Sequence, residues 1–136
     1  MLEFPLILGF SILFLFFLMS AYDFFTVYLA IEGLSLTLYV LAAMLVNNII
    51  SLEASIKYFS LGALSTGIFL FGLSFLYGLL GSVDFLEIQL FVTQSCYLVP
   101  FGFELKFSFF CIFFGLFFKL SAFPCHWWVV DVYEGV

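Results

Sequence analysis

The sequence predicts an all-α integral membrane protein with about four transmembrane helices, the last of them broken near Pro124. Of its 136 residues, 66% are hydrophobic and only 9% are charged, whereas soluble domains are about 45–50% apolar and about 25% charged. A chain of this size could not hide so much apolar surface from water, because small domains bury the smallest share of their surface. The apolar residues also fall into runs near the roughly 20 residues that span a bilayer.

The charged residues and the cysteines exclude several functions. Nine acidic residues stand against three lysines and no arginine, for a formal charge of −6. Nucleic-acid binding is excluded because it requires a basic surface. The scattered Cys96, Cys111 and Cys125 show no metal-ligand spacing, and we interpret them as small apolar residues or loop thiols. The 23 phenylalanines and the missing arginine are typical of a T-rich coding bias, which suits an organelle-encoded gene.

The first predicted span, residues 4–22, contains no charged residue. At 1.5 Å per residue it covers roughly 28 Å, about one hydrocarbon core. A cleaved signal peptide is disfavoured, because Glu3 stands where a positive charge is expected and the apolar run exceeds roughly 15 residues. Asp23 separates this span from the second one, residues 24–46.

Glu32 lies inside the second span, about 13 Å from its start. A carboxylate at that depth costs several kcal/mol unless it is protonated, paired or hydrated. The small or hydroxylated residues near it suit a helix interface or a hydrated cavity; they are Gly33, Ser35, Thr37 and Tyr39. Glu32 is therefore either a structural polar contact between helices or a functional intramembrane carboxylate, and we favour the second interpretation.

The third predicted span, residues 52–80, begins with Ser51 and Glu53, which are suited to capping a helix. Lys57 follows Glu53 at the favourable four-residue spacing, and it either extends to the interface or has a functional role. The rest of the span is dense in small residues, which indicates close helix packing. Residues 81–100 are more polar and predict a connection outside the membrane, with a short amphipathic helix over 85–92.

The fourth span, residues 101–123, ends next to the least ordinary part of the sequence. Glu104 and Lys106 at its start fit solvated helix-end charges, but Lys119 lies deep enough to need a partner, and we predict Glu32. Pro124 removes a backbone donor and breaks the helix. The segment 124–136 that follows contains His126, Trp127, Trp128, Asp131 and Glu134. An aromatic belt at the membrane interface accounts for the tryptophans alone, and not for the titratable groups.

Three segments resemble signatures of one protein family. Residues 118–135 read F-K-L-S-A-F-P-C-H-W-W-V-V-D-V-Y-E-G, and the family pattern is F-K-x-S-x-x-P-F-H-x-W-x-P-D-V-Y-x-G, with Val130 where the family has proline. Residues 28–39 and 51–59 resemble two further signatures, in the family's order and separation. The chain thus resembles the NADH dehydrogenase subunit 2 family, the antiporter-like membrane subunits of respiratory complex I.

The resemblance implies that residues 1–136 form one membrane domain, similar to helices four to seven of the antiporter-like fold. It also implies that Glu32 and Lys119 form a charge pair whose making and breaking accompanies proton uptake. Lys57 would tune that pair and relay charge, and His126 would lie on the hydrated central axis. To these we add three acids as tuning groups, Glu53, Asp131 and Glu134.

The physical basis for such a pair is general. A lysine beside a carboxylate in a low dielectric keeps its proton, and a lysine moved away from it can release the proton. At an effective dielectric near 20, charges about 4 Å apart interact by roughly 4 kcal/mol. That energy is enough to switch a lysine between its loaded and unloaded states at neutral pH.

Partners and location follow from the same resemblance. The chain is expected to bind no cofactor, with FMN, iron–sulfur clusters and ubiquinone bound by other subunits of the complex. Its expected partners are other membrane-arm subunits and lipids. Its expected location is the mitochondrial inner membrane, with the bacterial inner membrane as the alternative. Only about four of the usual fourteen helices are present, so we expect a split subunit completed by a second chain, with a truncated chain as the alternative. Two other functions stay open: a fragment of a multisubunit Na⁺/H⁺ antiporter, and a purely structural membrane-arm subunit.

Overall fold

The computed structural model describes residues 3–44, 49–98, 102–122 and 126–135. It has six α-helices: α1 Glu3–Met19, α2 Phe24–Ala43, α3 Ile49–Leu80, α4 Phe85–Leu98, α5 Phe103–Lys119 and α6 Trp127–Gly135. Over the described ranges the only β-type pairing is an isolated bridge between Asp23 and Asp84. The predicted all-α class is confirmed.

Two of the described helices, α2 and α3, are long and apolar enough to cross a membrane. Helix α1 is apolar but has 17 residues, which span about 25 Å against a hydrocarbon core of about 30 Å. Helix α5 is equally long and contains Glu104, Lys106 and Lys119. Helix α4 begins at Phe85 as predicted and extends to Leu98, six residues beyond the expected amphipathic segment.

Helix α3 is the centre of the fold and packs against α2, α5 and α6, while α1 packs against α2. The main apolar core joins α3, α4 and α5; its buried members are Phe69, Leu73, Leu76, Ile88, Leu105 and Ile112. A second cluster joins α3, α5 and α6 around Phe118, Trp128 and Val132. Burial on three sides explains why α3 is rich in small residues instead of showing a single apolar stripe.

The α3–α5 interface is held by two reciprocal contacts between a serine and a glycine. A Cβ at Gly72 would lie 2.8 Å from the Ser108 carbonyl oxygen, and a Cβ at Gly115 would lie 2.9 Å from that of Ser65. The Ser108 hydroxyl donates to the Gly72 carbonyl at 2.7 Å, fully buried. Glycine at both positions therefore lets the two backbones touch.

Helices α2 and α3 are joined by a side-chain hydrogen bond where α2 ends and α3 begins. The Ser51 hydroxyl donates to the Ala42 carbonyl at 2.7 Å. Because α3 begins at Ile49, Ser51 lies inside the helix, and the expectation that it caps α3 was wrong. Its hydroxyl instead satisfies an orphan carbonyl at the end of α2.

The opposite end of α3 is tied to the start of α2. Gly81, with φ of +75°, follows α3 in the left-handed conformation that commonly ends helices. The Phe24 amide then donates to the Val83 carbonyl, and the Phe85 amide to that of Tyr22, both at 3.2 Å. The Asp23 carboxylate caps α2 by accepting from the Thr26 amide at 2.8 Å. The starts of α2 and α4 are thereby fixed side by side.

Helix α5 ends at Lys119, four residues before the predicted end at 123. Ser121 has φ of +56°, its amide donates to the Phe118 carbonyl at 3.1 Å, and the Ala122 amide donates to the Phe117 carbonyl at 2.9 Å. This is a Schellman motif, with serine at the position that usually holds glycine. The helix therefore stops through its own hydrogen bonds. The predicted break at Pro124 falls outside the described residues.

Candidate functional site: a buried ion pair between two cavities

Lys119 and Glu32 form an ion pair, with 3.2 Å between Nζ and Oε2. The lysine side chain is 16% exposed and the glutamate side chain 28% exposed, so both charges are largely removed from solvent. Such a pair is stronger than one on a surface, because solvent screens it less. The structure thus brings together the two residues that the sequence predicted as partners.

The elements around the pair explain how the two side chains meet. Lys119 is the last residue of α5, where the negative end of the helix dipole favours a cation. Glu32 lies in the middle of α2, next to Gly33, where a Cβ would collide with the Phe14 ring of α1. Helix α1 therefore packs tightly against α2 beside the carboxylate. Helix α3 contacts both α2 and α5.

A cavity of about 360 Å³ adjoins Lys119 between α2, α3, α5 and α6. We call it the inner cavity. Much of its lining is apolar, but six polar side chains reach it: Ser35, Tyr39, Tyr58, Ser65, Lys119 and Trp128. The Ser35 hydroxyl donates to the Glu32 carbonyl at 2.8 Å, which connects the cavity wall to the turn that holds the carboxylate.

A separate, polar groove of about 240 Å³ lies between the start of α3 and α6. We call it the outer groove; its charged lining is Glu53, Lys57, Asp131 and Glu134. Lys57 Nζ is 2.9 Å from Glu53 Oε1, with the two side chains 46% and 63% exposed. Three carboxylates against one ammonium give the groove an acidic character. The structure thus groups Lys57 with the three predicted tuning acids, and its ion pair is with Glu53.

Of the residues that follow the predicted break at Pro124, some are exposed and others are buried. His126 precedes α6, is exposed, and its carbonyl accepts from the Val129 amide at 3.3 Å. Trp127 is 62% exposed, whereas Trp128 is 6% exposed and stacks on Phe118 and Tyr58. Assigning both tryptophans to an interfacial belt was therefore wrong for Trp128, which α6 turns toward α3.

Some residues that line the inner cavity could be singled out from the sequence, and others could not. Ser35 and Tyr39 stood out as hydroxylated neighbours of Glu32. Tyr58 and Trp128 were missed, because an aromatic residue near a helix end is equally typical of a membrane interface. Among the described residues, no group of three or more His, Cys, Asp or Glu is arranged to hold a metal ion.

Comparison with known proteins shows the family to which the chain is similar. The family described as "NADH:quinone oxidoreductase/Mrp antiporter, TM" matches residues 21–136. The chain belongs to this family. Membership of this family also supports the all-α membrane fold predicted from the sequence.

Individual relatives agree with the subunit 2 resemblance. The chain is 45% identical over 127 residues to NADH-quinone oxidoreductase subunit N of Hydrogenovibrio crunogenus, covering 93% of this chain and 26% of the relative. It is 44% identical over 133 residues to subunit N 1 of Rhizobium meliloti, covering 98% and 27%. Subunit N corresponds to subunit 2, so the resemblance is confirmed.

A solved structure shares the fold. The chain matches a chain of respiratory complex I from Thermus thermophilus with bound aureothin, with a TM-score of 0.79 and 32% identity. The match covers 97% of this chain and 28% of the other. The chain thus spans about a quarter of the length of the relatives that it matches.

Proposed function

We propose that the chain is part of the proton-translocating membrane arm of an NADH:quinone oxidoreductase, and that the Glu32–Lys119 pair takes part in moving protons. The observation that supports the proposal is the pair itself, 3.2 Å apart and mostly shielded from solvent, in a chain similar to subunit N. Two opposite charges inside a membrane protein are costly to maintain and mark proton and ion pathways by default.

The chemistry assigned to the pair is proton storage and release. While Nζ contacts the carboxylate, the ammonium form of Lys119 is favoured; when the contact opens, the charge is left partly desolvated and the proton can leave. Water in the adjoining inner cavity would receive it. Lys57 and His126 act on the same route, with Glu53, Asp131 and Glu134 setting the charge of its outer part. The redox chemistry and its cofactors belong to other subunits of the complex.

Replacing Lys119 tests the proposal directly. Lys119→Ala should lower both proton pumping and quinone-coupled turnover by about tenfold or more, the change expected when roughly 1.4 kcal/mol of stabilisation is lost, while the complex still assembles. The measurement is acidification of proteoliposomes that contain the whole complex, normalised to its content on native gels. An unchanged number of protons pumped per electron, at an unchanged rate, would contradict the proposal.

The double variant separates a proton-carrying pair from a static one. If the pair only holds helices together, replacing Glu32 and Lys119 together by glutamine and methionine leaves no unpaired buried charge and should be nearly neutral. If the pair carries protons, the same variant assembles and does not pump. Full pumping by the double variant would favour a purely structural membrane-arm role.

A sodium/proton antiporter is the second candidate, because the family that matches residues 21–136 includes Mrp antiporters as well as the oxidoreductases. The similarity to subunit N favours the oxidoreductase. Gentle purification distinguishes the two: flavin and iron–sulfur absorbance that co-purifies with the chain supports complex I, and their consistent absence supports the antiporter.

We place the complex in the mitochondrial inner membrane, with other membrane-arm subunits and lipids as partners. Composition supports this location, since 23 phenylalanines and no arginine fit an organelle gene. The two relatives described above are bacterial, and their equivalent location is the bacterial inner membrane. Fractionation of the source cells distinguishes the two locations. The second chain expected from the sequence stays a prediction.

A further inference from the structure

The inner cavity has the size and the polar groups to hold a short row of water molecules. Its volume is about 360 Å³, and one water occupies about 30 Å³ in the liquid and needs two to four polar partners to be ordered. Hydroxyl, indole and ammonium groups line the cavity on different helices. An apolar cavity would stay dry; this one offers partners on several sides.

Tyr39 brings a hydroxyl from the Glu32 side of the cavity to α3. Its ring is buried, at 8% exposure, and its hydroxyl occupies the space that a side chain at position 62 would need, since a Cβ on Gly62 would collide with it. Ser35 lines the same cavity, and its hydroxyl donates to the Glu32 carbonyl at 2.8 Å. Tyr39 thus connects the neighbourhood of the ion pair with the surface of α3.

Tyr58 continues the connection toward the outer groove. Its ring meets that of Tyr39 edge-on, with 4.6 Å between centroids and an angle of 89°. Tyr58, like Tyr39, lines the inner cavity. Lys57, the next residue on α3, lines the outer groove together with Asp131. The linings of the inner cavity and of the outer groove therefore include adjacent residues of α3, Tyr58 and Lys57.

Trp128 provides an independent sign that the inner cavity takes up a hydrogen-bonding guest. It lines the cavity, its ring stacks on Tyr58 with 5.8 Å between centroids, and it is 6% exposed. Its Nε1–H is buried and has no acceptor in the described part of the chain. A buried donor of this kind costs free energy unless an acceptor reaches it, and a small shift of the indole toward the cavity that it lines would bring it to a water.

We propose that Tyr39 and Tyr58, with water in the inner cavity, form a proton relay between the outer groove and the Glu32–Lys119 pair. The relay rests on the proposed function of that pair. A proton leaving a groove carboxyl is accepted by the Tyr58 oxygen through water as Tyr58 passes its own proton on. Tyr39 repeats the exchange, and the proton ends on Glu32 or on the neutral amine of Lys119. Each phenol ends as it began, and no redox partner is required.

Removing the two hydroxyls tests the relay. Tyr39→Phe and Tyr58→Phe keep the packed rings and should each slow the initial rate of proton pumping by roughly three- to tenfold, equivalent to the loss of about 0.7–1.4 kcal/mol from the transfer step. The combined loss should be less than the product of the two, because coupled groups are not additive. The assay is acidification of proteoliposomes containing the whole complex, at equal complex content.

Two controls match the substitutions. Tyr77→Phe removes an exposed hydroxyl from the same helix as Tyr58 and should leave the pumping rate unchanged. Trp128→Phe keeps an aromatic ring but removes the buried donor, so it should slow pumping by roughly threefold, whereas Trp127→Phe, at the exposed neighbour on α6, should not.

Lys119→Ala, measured in the same assay, keeps the two proposals apart. If it abolishes pumping while Tyr39→Phe and Tyr58→Phe both pump at the unsubstituted rate, the relay is wrong and the function of the pair stands. If Lys119→Ala pumps normally, the function of the pair fails, and the relay fails with it. Should one tyrosine variant not assemble, the other and Trp128→Phe decide the result in the same way.

Discussion

Ser121 adopts a conformation that glycine would hold more readily, two residues after the lysine of the ion pair. Its φ of +56° costs an L-residue roughly 1–2 kcal/mol. The two Schellman hydrogen bonds to Phe117 and Phe118 offset that cost and stop α5 at Lys119. Because the lysine is the last helical residue, whatever strengthens or weakens this end changes the anchoring of its side chain.

A substitution at Ser121 should therefore change the local stability of the end of α5. Ser121→Gly removes the steric cost, and we expect the amides of Ser121 and Ala122 to exchange about fivefold more slowly, equivalent to about 1 kcal/mol. Ser121→Val should have the opposite effect. Hydrogen–deuterium exchange of the assembled complex, read by mass spectrometry on the peptide covering residues 117–122, measures both.

Ser74→Gly is the matched control. Ser74 is exposed and lies in the interior of α3, where glycine weakens a helix by roughly 1 kcal/mol relative to alanine. Exchange around residue 74 should therefore become faster. Slower exchange at both sites would show that the effect at Ser121 does not arise from its backbone conformation.

At the scale of elements, the fold depends on the contact between α3 and α5. The Gly72–Ser108 and Gly115–Ser65 contacts are seven residues apart on each helix and run in opposite directions, as two antiparallel helices require. Interfaces between membrane helices gain from close packing and interhelical hydrogen bonds, because lipid is as apolar as the side chains. A single methyl group at either glycine therefore affects the whole interface.

Gly72→Ala tests this contact. The added Cβ would lie 2.8 Å from the Ser108 oxygen and 2.9 Å from the Ile112 nitrogen, and backbone cannot yield as a flexible side chain can. Such overpacking typically costs about 1–3 kcal/mol, so the yield of assembled complex on native gels should fall, and its dissociation temperature with it.

Gly67→Ala and Gly78→Ala are the corresponding controls on the same helix. Neither added Cβ would meet an atom within 4 Å, and alanine is the better helix former by roughly 1 kcal/mol. Both variants should assemble at least as well as the unsubstituted chain. Equal losses for all three glycines would indicate that general helix effects, and not the α3–α5 contact, determine stability.

The whole molecule has two ends separated by the length of α3, whose 32 residues extend about 48 Å. That is more than one bilayer core of about 30 Å. The outer groove lies at the end where α3 begins. The joined starts of α2 and α4 lie at the other end, beside Gly81. The acidic groove and the Asp23–Asp84 junction are thus expected at opposite membrane surfaces.

Cysteine labelling tests that arrangement. Glu53→Cys and Tyr22→Cys replace side chains in exposed positions at the two ends of α3. A membrane-impermeant maleimide should label them from opposite sides of sealed vesicles, and a permeant one should label both. The unsubstituted chain, with its three cysteines, provides the background. Labelling of both positions from one side would contradict the placement of α3 across the membrane.

The sequence predicts those features that have a strong physical signal in it, and it does not predict those that depend on backbone geometry. Apolar runs long enough to cross a bilayer predicted the helices. The pairing of Glu32 with Lys119 was predicted because a charge in lipid is costly without a partner. The end of α5 was placed too late, because the proline is visible in the sequence while a left-handed serine is not. Trp128 and Tyr58 were missed because their roles depend on the direction in which α6 folds back, and no local pattern sets that direction.

The two serine–glycine contacts also bear on how quickly the ion pair can open. They hold α5 against α3 by backbone at two points, so α5 cannot slide without separating from its neighbour. A change in the Nζ–Oε2 distance must then come from rotation of the lysine and glutamate side chains or from movement of α2, which carries Glu32 and takes no part in these contacts. Such rotations take picoseconds to nanoseconds in exposed residues, whereas helix displacements take microseconds to milliseconds. An opening of the ion pair that takes microseconds or longer would therefore point to movement of α2 and not of α5.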